Sequence, residues 1–462
     1  MASGGFPPLL NGSGDAEGYP KGDLNSSLRY GVDSGVSGTP KTVPTPSLSE
    51  DTPKFGSITW YGKVLCIGRS LLDQVQVSVF YYTDCQNQLR LAFSRELKVC
   101  LDRVIVSPNN LSAWLQRILL PICTLTLFKP RSSSEEKLGN QKRLQVAAII
   151  NALSVWKEPN GCFILENKLL QKPVRTGVRK SDSKKQGSAN LLACQKKISC
   201  GHFAAAIRVL SSSGVAPCNE SMHQDLLDKH PHAPLPVVPS DDILVDAVTV
   251  DSWAVLGVIK RFPKGTSCGR DGLRAQHLVD VMSGDAAAVA DNLLASITGV
   301  VNLWLAGKCP GSLGEFIASA PLTPLLKPGG GIRPIFFGTV WRRLVSKVVS
   351  FSVGKDMTSY LGDYQFGVGM PSGGSILHAV NYLLEMKGHS DKMSMLLIDF
   401  SNAFNMVSRS QLIKEVRLHC PGISRWVEFC YSRPAKLYYN QYILSSALGV
   451  HQGDPSVPCC SR

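Results

Sequence analysis

The stretch MLLIDFSNAFNMV, residues 395–407, runs four apolar side chains straight into Asp399 and follows them with Ala403, Phe404 and Asn405. A short apolar run bounded by polar residues predicts a buried strand, SMLLIDF at 394–400, with a carboxylate at its mouth. An isolated ionised carboxylate in apolar surroundings is costly. Asp399 should therefore be paired with a cation, solvated at the strand end, or bound to a metal.

Working outward, the second half of the chain alternates helix and strand signals. DSWAVLGVIKRF reads as an amphipathic helix with Ser252 as its cap, followed by the loop KGTSCGRDGL. DAAAVADNLLASITGVVNLWL places Val289, Leu293, Ile297, Val300 and Trp304 on one helical face. SAPLTPLLKPGGGIRPIFF reads as strand, Gly-rich turn and strand, and KLYYNQYILSSA as a hairpin turning at Asn440 and Gln441. GGSILHAVNYLLEM, SQLIKEVRLHC and ISRWVEFCYS are helical, so this half is a mixed α+β unit.

The first half is chemically quieter. Residues 1–56 are Gly-, Ser- and Pro-rich without a sustained apolar period and are expected to be a disordered tail. Residues 57–170 form a mainly helical region, with one strand at QVQVSVFYY (74–82) and helices at LSAWLQRILLPICTLTLF and KRLQVAAIINALSVW. Residues 171–245 are a basic linker and helical connector. Within it, 171–197 carries eight Lys or Arg and one Asp, half of the formal net charge of +14. Such a run serves equally as a solvated linker, a phosphate-backbone contact or an import signal.

The charge and a pI near 9.1 make polyanions, nucleic acid first, the natural partners. The opening MASGGFPPLLNGSGDAEGYPKGD lacks a basic start followed by an apolar core, and no uninterrupted apolar run approaches membrane-spanning length. The expectation is an intracellular chain, nuclear or cytoplasmic, neither secreted nor membrane-bound. The 14 cysteines contain no CxxC pair and read as small buried hydrophobes. The best metal cluster that can be assembled from them, Cys194, Cys200, His202, Cys218 and His223, has the spacing of no common zinc module.

The polar motifs are GRDG (269–272), KPGGGIRPI (327–335), QFGVG (365–369), DFSNAF (399–404) and GVHQGDP (449–455). None is specific alone: a Gly-rich turn between Lys327 and Arg333 suits any hairpin, and Phe404 suits any core. In this order, together with FPKGTSCGRDGLRAQHL, WRRLVSKV and RWVEFCYS, they closely resemble the reverse transcriptase domain of non-long-terminal-repeat retrotransposons and the reverse-transcriptase-like proteins of plant and protist genomes. The resemblance covers roughly residues 190–455.

That resemblance implies right-hand polymerase-like fingers at 246–371 and a partial palm at 372–462. It implies that Asp399 is the catalytic aspartate that holds Mg2+, that Lys327 and Arg333 hold the nucleotide triphosphate, and that Phe404 stacks under its sugar. Gln452, Gly453 and Pro455 would track the template, and the partners would be an RNA template, a DNA primer and nucleotide triphosphates. Planar guanidinium donors fit phosphate oxygens, and a divalent ion needs carboxylate oxygens, so these assignments are chemically coherent. The family's second acidic motif, an aromatic residue, any residue and two aspartates, does not follow GVHQGDP here; the chain runs into SVPCCSR and ends at Arg462. The palm is therefore expected to be incomplete and the chain inactive in polymerisation, the alternative being a non-catalytic nucleic-acid-binding protein. Tyr82-Thr83-Asp84-Cys85 imitates the missing motif without its second aspartate.

Overall fold

The computed structural model describes residues 87–125, 138–171, 183–199, 201–240, 246–327, 329–362, 374–388, 394–451 and 454. The tail, the expected strand at 74–82, Tyr82–Cys85, the QFGVG motif and Gln452, Gly453 and Pro455 lie outside these residues. Every described residue lies within Gly56–Arg462.

Helices α1 (Asn87–Val106), α2 (Leu111–Thr124), α3 (Leu138–Trp156) and α4 (Gly161–Leu170) come first, then α5 (Ser183–Ser199), α6 (Phe203–Leu210) and α7 (Glu220–Asp228). Next are α8 (Ser252–Lys260), α9 (Ala275–Asp280), α10 (Ala287–Leu305) and α11 (Gly314–Ala318), which lead into strands β1 (Ala320–Leu326) and β2 (Ile332–Phe336). After these run α12 (Val340–Leu361), α13 (Gly374–Lys387), α14 (Ala403–Met406), α15 (Arg409–His419) and α16 (Ser424–Tyr431), and finally β3 (Ala435–Tyr439) and β4 (Tyr442–Ser446). The architecture is mixed helix and sheet, as the sequence predicts.

Short polar side chains start the helices. Asn110 Oδ1 accepts from the backbone N–H of Ser112 and Ala113, Asn219 from Met222, Thr339 Oγ1 from Arg342 and Ser408 Oγ from Gln411. Each satisfies a donor that the first turn leaves without a helical partner. At α8 the cap is Asp251, which accepts from Ala254 N at 2.7 Å, and not Ser252. Ser252 is already helical, and its hydroxyl instead meets Thr298 Oγ1 at 3.2 Å.

One apolar core spans α1 to α16, with α10 packed along α1. Of the predicted α10 face, Leu293, Ile297, Val300 and Trp304 are fully buried, while Val289 is half-buried. Trp304 is its hub, with ring centroids at 5.1 Å from Trp114 and 6.1 Å from both Trp341 and Trp426. The helical stretch Gly284–Leu305 has the length and mean apolarity to cross a membrane, but Asp285 and Asp291 interrupt it, and its inward face is a seam of the core. Arg117 lies inside the same cluster, its guanidinium carbon 4.7 Å from the Trp304 and Trp341 ring centres and 5.5 Å from that of Trp114. Burial pushes its pKa down to about 9 against the opposing pull of Asp271.

The sheet has the order β2-β1-β3-β4. β1 and β2 form the expected antiparallel hairpin, Leu326 opposite Ile332. β1 then divides its other edge: Ala320 and Pro321 pair in parallel with β3, while Ala216 N donates to Pro324 O and Leu326 N to Gly214 O. Pro321 and Pro324 offer no N–H, so neither partner could run a full ladder along β1. The β3–β4 hairpin turns at Asn440–Gln441 as expected, with Asn440 at φ 47°, a left-handed geometry that asparagine tolerates.

The buried strand expected at 394–400 is not formed. These residues belong to no helix or strand, and Leu396, Leu397 and Ile398 are 83, 82 and 69 % exposed. Composition reads a paired strand and an unpaired one alike; a strand exists only where a neighbour takes its backbone hydrogen bonds, and none of the four described strands pairs with this run.

Candidate functional site

Two of the motifs meet. Beyond Asp399 the chain turns at Asn402, which adopts φ 57° while its side-chain amide donates to Lys229 O at 2.9 Å and its Oδ1 accepts from Asn405 Nδ2 at 2.9 Å. The backbone of 404–407 then receives the GVHQGDP turn: Val450 N donates to Phe404 O at 2.7 Å and Gly449 N to Val407 O at 2.9 Å. Gly449 has φ 75°, and a Cβ there would lie 2.4 Å from both Asn405 Cα and Phe404 O, so the approach requires glycine.

Three side chains hold this turn from behind. Arg409 donates to Gly449 O, Arg433 O, Ser446 Oγ and Leu448 O at 2.9–3.2 Å. Arg342, at the start of α12, donates to Ala318 O, to His451 Nε2 and to Asp454 Oδ2. The Tyr431 hydroxyl donates to Asp454 Oδ2 at 2.9 Å and accepts from His451 N at 3.4 Å. All are buried. Burial alone would lower the Arg342 pKa, but Cys430, Tyr431 and Asp454 outweigh it and keep the guanidinium charged. The His451 imidazole, edge-on to Phe336 at 4.5 Å, is driven well below its ordinary pKa by burial and by Arg342 and Arg409, so it accepts the Arg342 proton as a neutral ring.

The GRDG motif is a buried joint. A Cβ on Gly269 would lie 2.4 Å from Thr339 Cα, and the Arg270 guanidinium sits 3.5 Å over the Tyr438 ring. Burial raises the Asp271 carboxyl to about 6, against the pull of Arg117. Its side chains face other elements of the core, and no exposed functional group remains on the motif.

Lys327 and Arg333 are exposed at the turn end of the β1–β2 hairpin. Arg333 is opposite Leu325, and Lys327 lies two residues beyond Leu325 on the same strand path, so both cations share one hairpin face. Phe404 is 48 % exposed and is therefore not a core residue. Asp399 is exposed in the unpaired 394–400 run. Of the other carboxylates in the motif series, Asp271 is buried and Asp454 is bonded to Arg342 and Tyr431.

Among the described residues no group of three His, Cys, Asp or Glu side chains could hold a metal, and that includes Cys194, His202, Cys218 and His223; Cys200 lies outside them. The residues that the sequence reading passed over are Arg342, Arg409 and Tyr431. WRRLVSKV and RWVEFCYS had marked two of their neighbourhoods without assigning the side chains a part.

No protein-family model matches the chain. A search of known proteins finds the Retrotransposable element SLACS 132 kDa protein of Trypanosoma brucei gambiense, 29 % identical over 180 residues. The chain is related to a retrotransposon protein. The aligned part is 39 % of this chain and 14 % of the length of the relative.

Proposed function

We propose that the chain is a reverse-transcriptase-like protein of non-long-terminal-repeat retrotransposon descent that binds nucleic acid through a basic fingers surface. The observation that carries this reading is the likeness to a retrotransposable-element protein over 180 residues, in a chain with the motif order described above. The exposed pair Lys327 and Arg333 and the net charge of +14 favour phosphate contacts, and half-exposed Phe404 offers a ring for a sugar or base. Template and primer are its partners in this reading, with nucleotide triphosphates as ligands.

Polymerisation is a separate matter. Magnesium chemistry of this class needs carboxylates from two places, and of those in the motif series Asp399 is exposed while Asp271 is buried and Asp454 is bonded to Arg342 and Tyr431. We therefore expect the 462-residue chain to bind but not to extend a primer. The test is incorporation of labelled nucleotide on a primed RNA template with magnesium or manganese. Binding without incorporation supports the reading; template-dependent incorporation that disappears in Asp399→Ala would assign Asp399 a catalytic role and require a second carboxylate elsewhere in the chain.

A further inference from the structure

Helices α8 and α12 pack against each other, and the chain leaving α8 stays beside α12 over residues 261–267. Two interlocked cation–ring pairs join the segments. The Arg261 guanidinium carbon lies 4.8 Å from the centre of the Phe351 ring, and Lys347 Nζ lies 5.4 Å from that of Phe262. Each segment thus gives the other one cation and one ring. Arg343, one turn before Lys347 on α12, donates to Ser267 O and ends the row. Arg261 and Phe351 are exposed, Phe351 by 57 %, and Phe262, Arg343 and Lys347 are half-buried.

Residues 252–270 and 340–355 together contain eight Lys or Arg and not one Asp or Glu. Arg270 and Arg342 are buried, and the other six reach the surface. The carboxylate that pulls on Arg343 is Asp271, which is buried and itself pushed up to about 6. Burial and then the charge of Arg343 lower the pKa of Lys347, so two like charges a turn apart repel each other. Side chains at i and i+4 leave a helix about 5–6 Å apart, a spacing that the oxygens of one phosphate group bridge. An acidic helix would answer these cations and leave the rings unused. A bilayer is entered by rings that stand clear of charge, whereas here each ring lies under a cation. A single strand of nucleic acid uses both, its phosphates on the cations and its bases against the rings.

We infer that the row Phe351, Arg261, Phe262, Lys347 and Arg343 is a binding track for a single strand of nucleic acid, additional to the hairpin cations Lys327 and Arg333. It rests on the nucleic-acid reading above and gives that reading a second place on the chain. The test uses the full chain and a fluorescent single-stranded oligouridine. Arg261→Gln/Lys347→Gln should weaken binding about tenfold or more and make the salt slope shallower by about 1–1.5, with unchanged circular dichroism. Phe351→Leu keeps an apolar side chain without a ring and should weaken binding about fivefold with that slope unchanged. Lys308→Gln/Lys414→Gln removes the same charge from exposed positions elsewhere and should weaken it much less. The inference is overturned if the two Gln pairs weaken binding equally, or if Phe351→Leu binds like the parent. It is also overturned if Arg261→Gln/Lys347→Gln keeps its affinity for oligouridine and loses affinity for phosphatidylserine vesicles or polyglutamate. Weakening by Lys327→Ala/Arg333→Ala but not by Arg261→Gln/Lys347→Gln overturns the inference and leaves the nucleic-acid reading standing; a parent chain that binds no oligouridine overturns both.

Discussion

The turn at 449–454 and the run at 394–400 are separated by little in the motif series but are opposite in physical character. In the first, Gly449–His451 and Asp454 are held in the interior by Arg342, Arg409 and Tyr431. The second is an apolar run left in solvent that carries the exposed Asp399 near its end. What orders a segment is therefore partnership more than hydrophobicity. Four hydrogen bonds to one guanidinium fix a glycine-rich turn, while Leu396 to Ile398, without a neighbouring strand, remain unpaired. The next helix back repeats the pattern of the run: Leu377, Tyr382 and Met386 on α13 are 62–63 % exposed, so α13 and 394–400 each offer exposed apolar side chains and should make the chain prone to association.

The contrast can be broken most forcefully from its ordered side. Arg342→Met should cost about 3–5 kcal/mol, because it strands Asp454 in the interior. Trp304→Ala should cost a similar amount, about 3–5 kcal/mol, by emptying the hub of the tryptophan cluster. Urea denaturation of the purified variants measures both. A loss below about 1 kcal/mol for Arg342→Met would mean that the turn is not held as described.

Acid offers a smaller and graded test. Burial holds His230, His277 and His451 below their ordinary pKa, His277 at about 3. The unfolded chain takes up protons on them first as pH falls through about 6.5, so the stability they contribute is complete above that value and declines below it. Glu166 and Asp271 act oppositely: burial raises them to about 7 and about 6, so the folded chain holds their protons and loses that contribution as pH rises from about 4. Three imidazoles against two carboxyls leave a net loss on acidification between about pH 6.5 and 5. Denaturation midpoints across this range check it, and His451→Gln should flatten the slope. Least of all, Asp399→Asn should change stability by no more than about 0.5 kcal/mol, as expected of an exposed side chain outside regular structure. A larger loss would show that 394–400 is paired after all.

The sequence made the helices and both hairpins legible because their signals are local. The 3.6-residue period of α10, the Gly-rich turn between Lys327 and Arg333, and Asn440 at the second turn each act within a few residues of chain. It misled at Ser252, where two adjacent residues could cap and the aspartate does, and at SMLLIDF, where an apolar run fixes neither pairing nor burial. The candidate site was legible as motifs and not as contacts. Gly449 stands in the sequence as the first residue of GVHQGDP, but that it faces the Phe404 carbonyl, and that Arg409 and Arg342 hold this segment from 40 and 109 residues away, depends on long-range packing. Arginine in a helix pattern reads as a solvated cation. Nothing local distinguishes Arg409 from its exposed counterparts.

Nucleic-acid binding by the exposed basic surface is the property from which the proposed function follows. The decisive measurement is the affinity of the chain for a primed RNA template over a range of salt concentrations, compared with Lys327→Ala/Arg333→Ala. The chain should bind with little sequence preference, its affinity should fall steeply as salt rises, and the double variant should bind more weakly with a salt slope shallower by about 1–2. Salt-independent affinity, or a double variant indistinguishable from the parent, would contradict it.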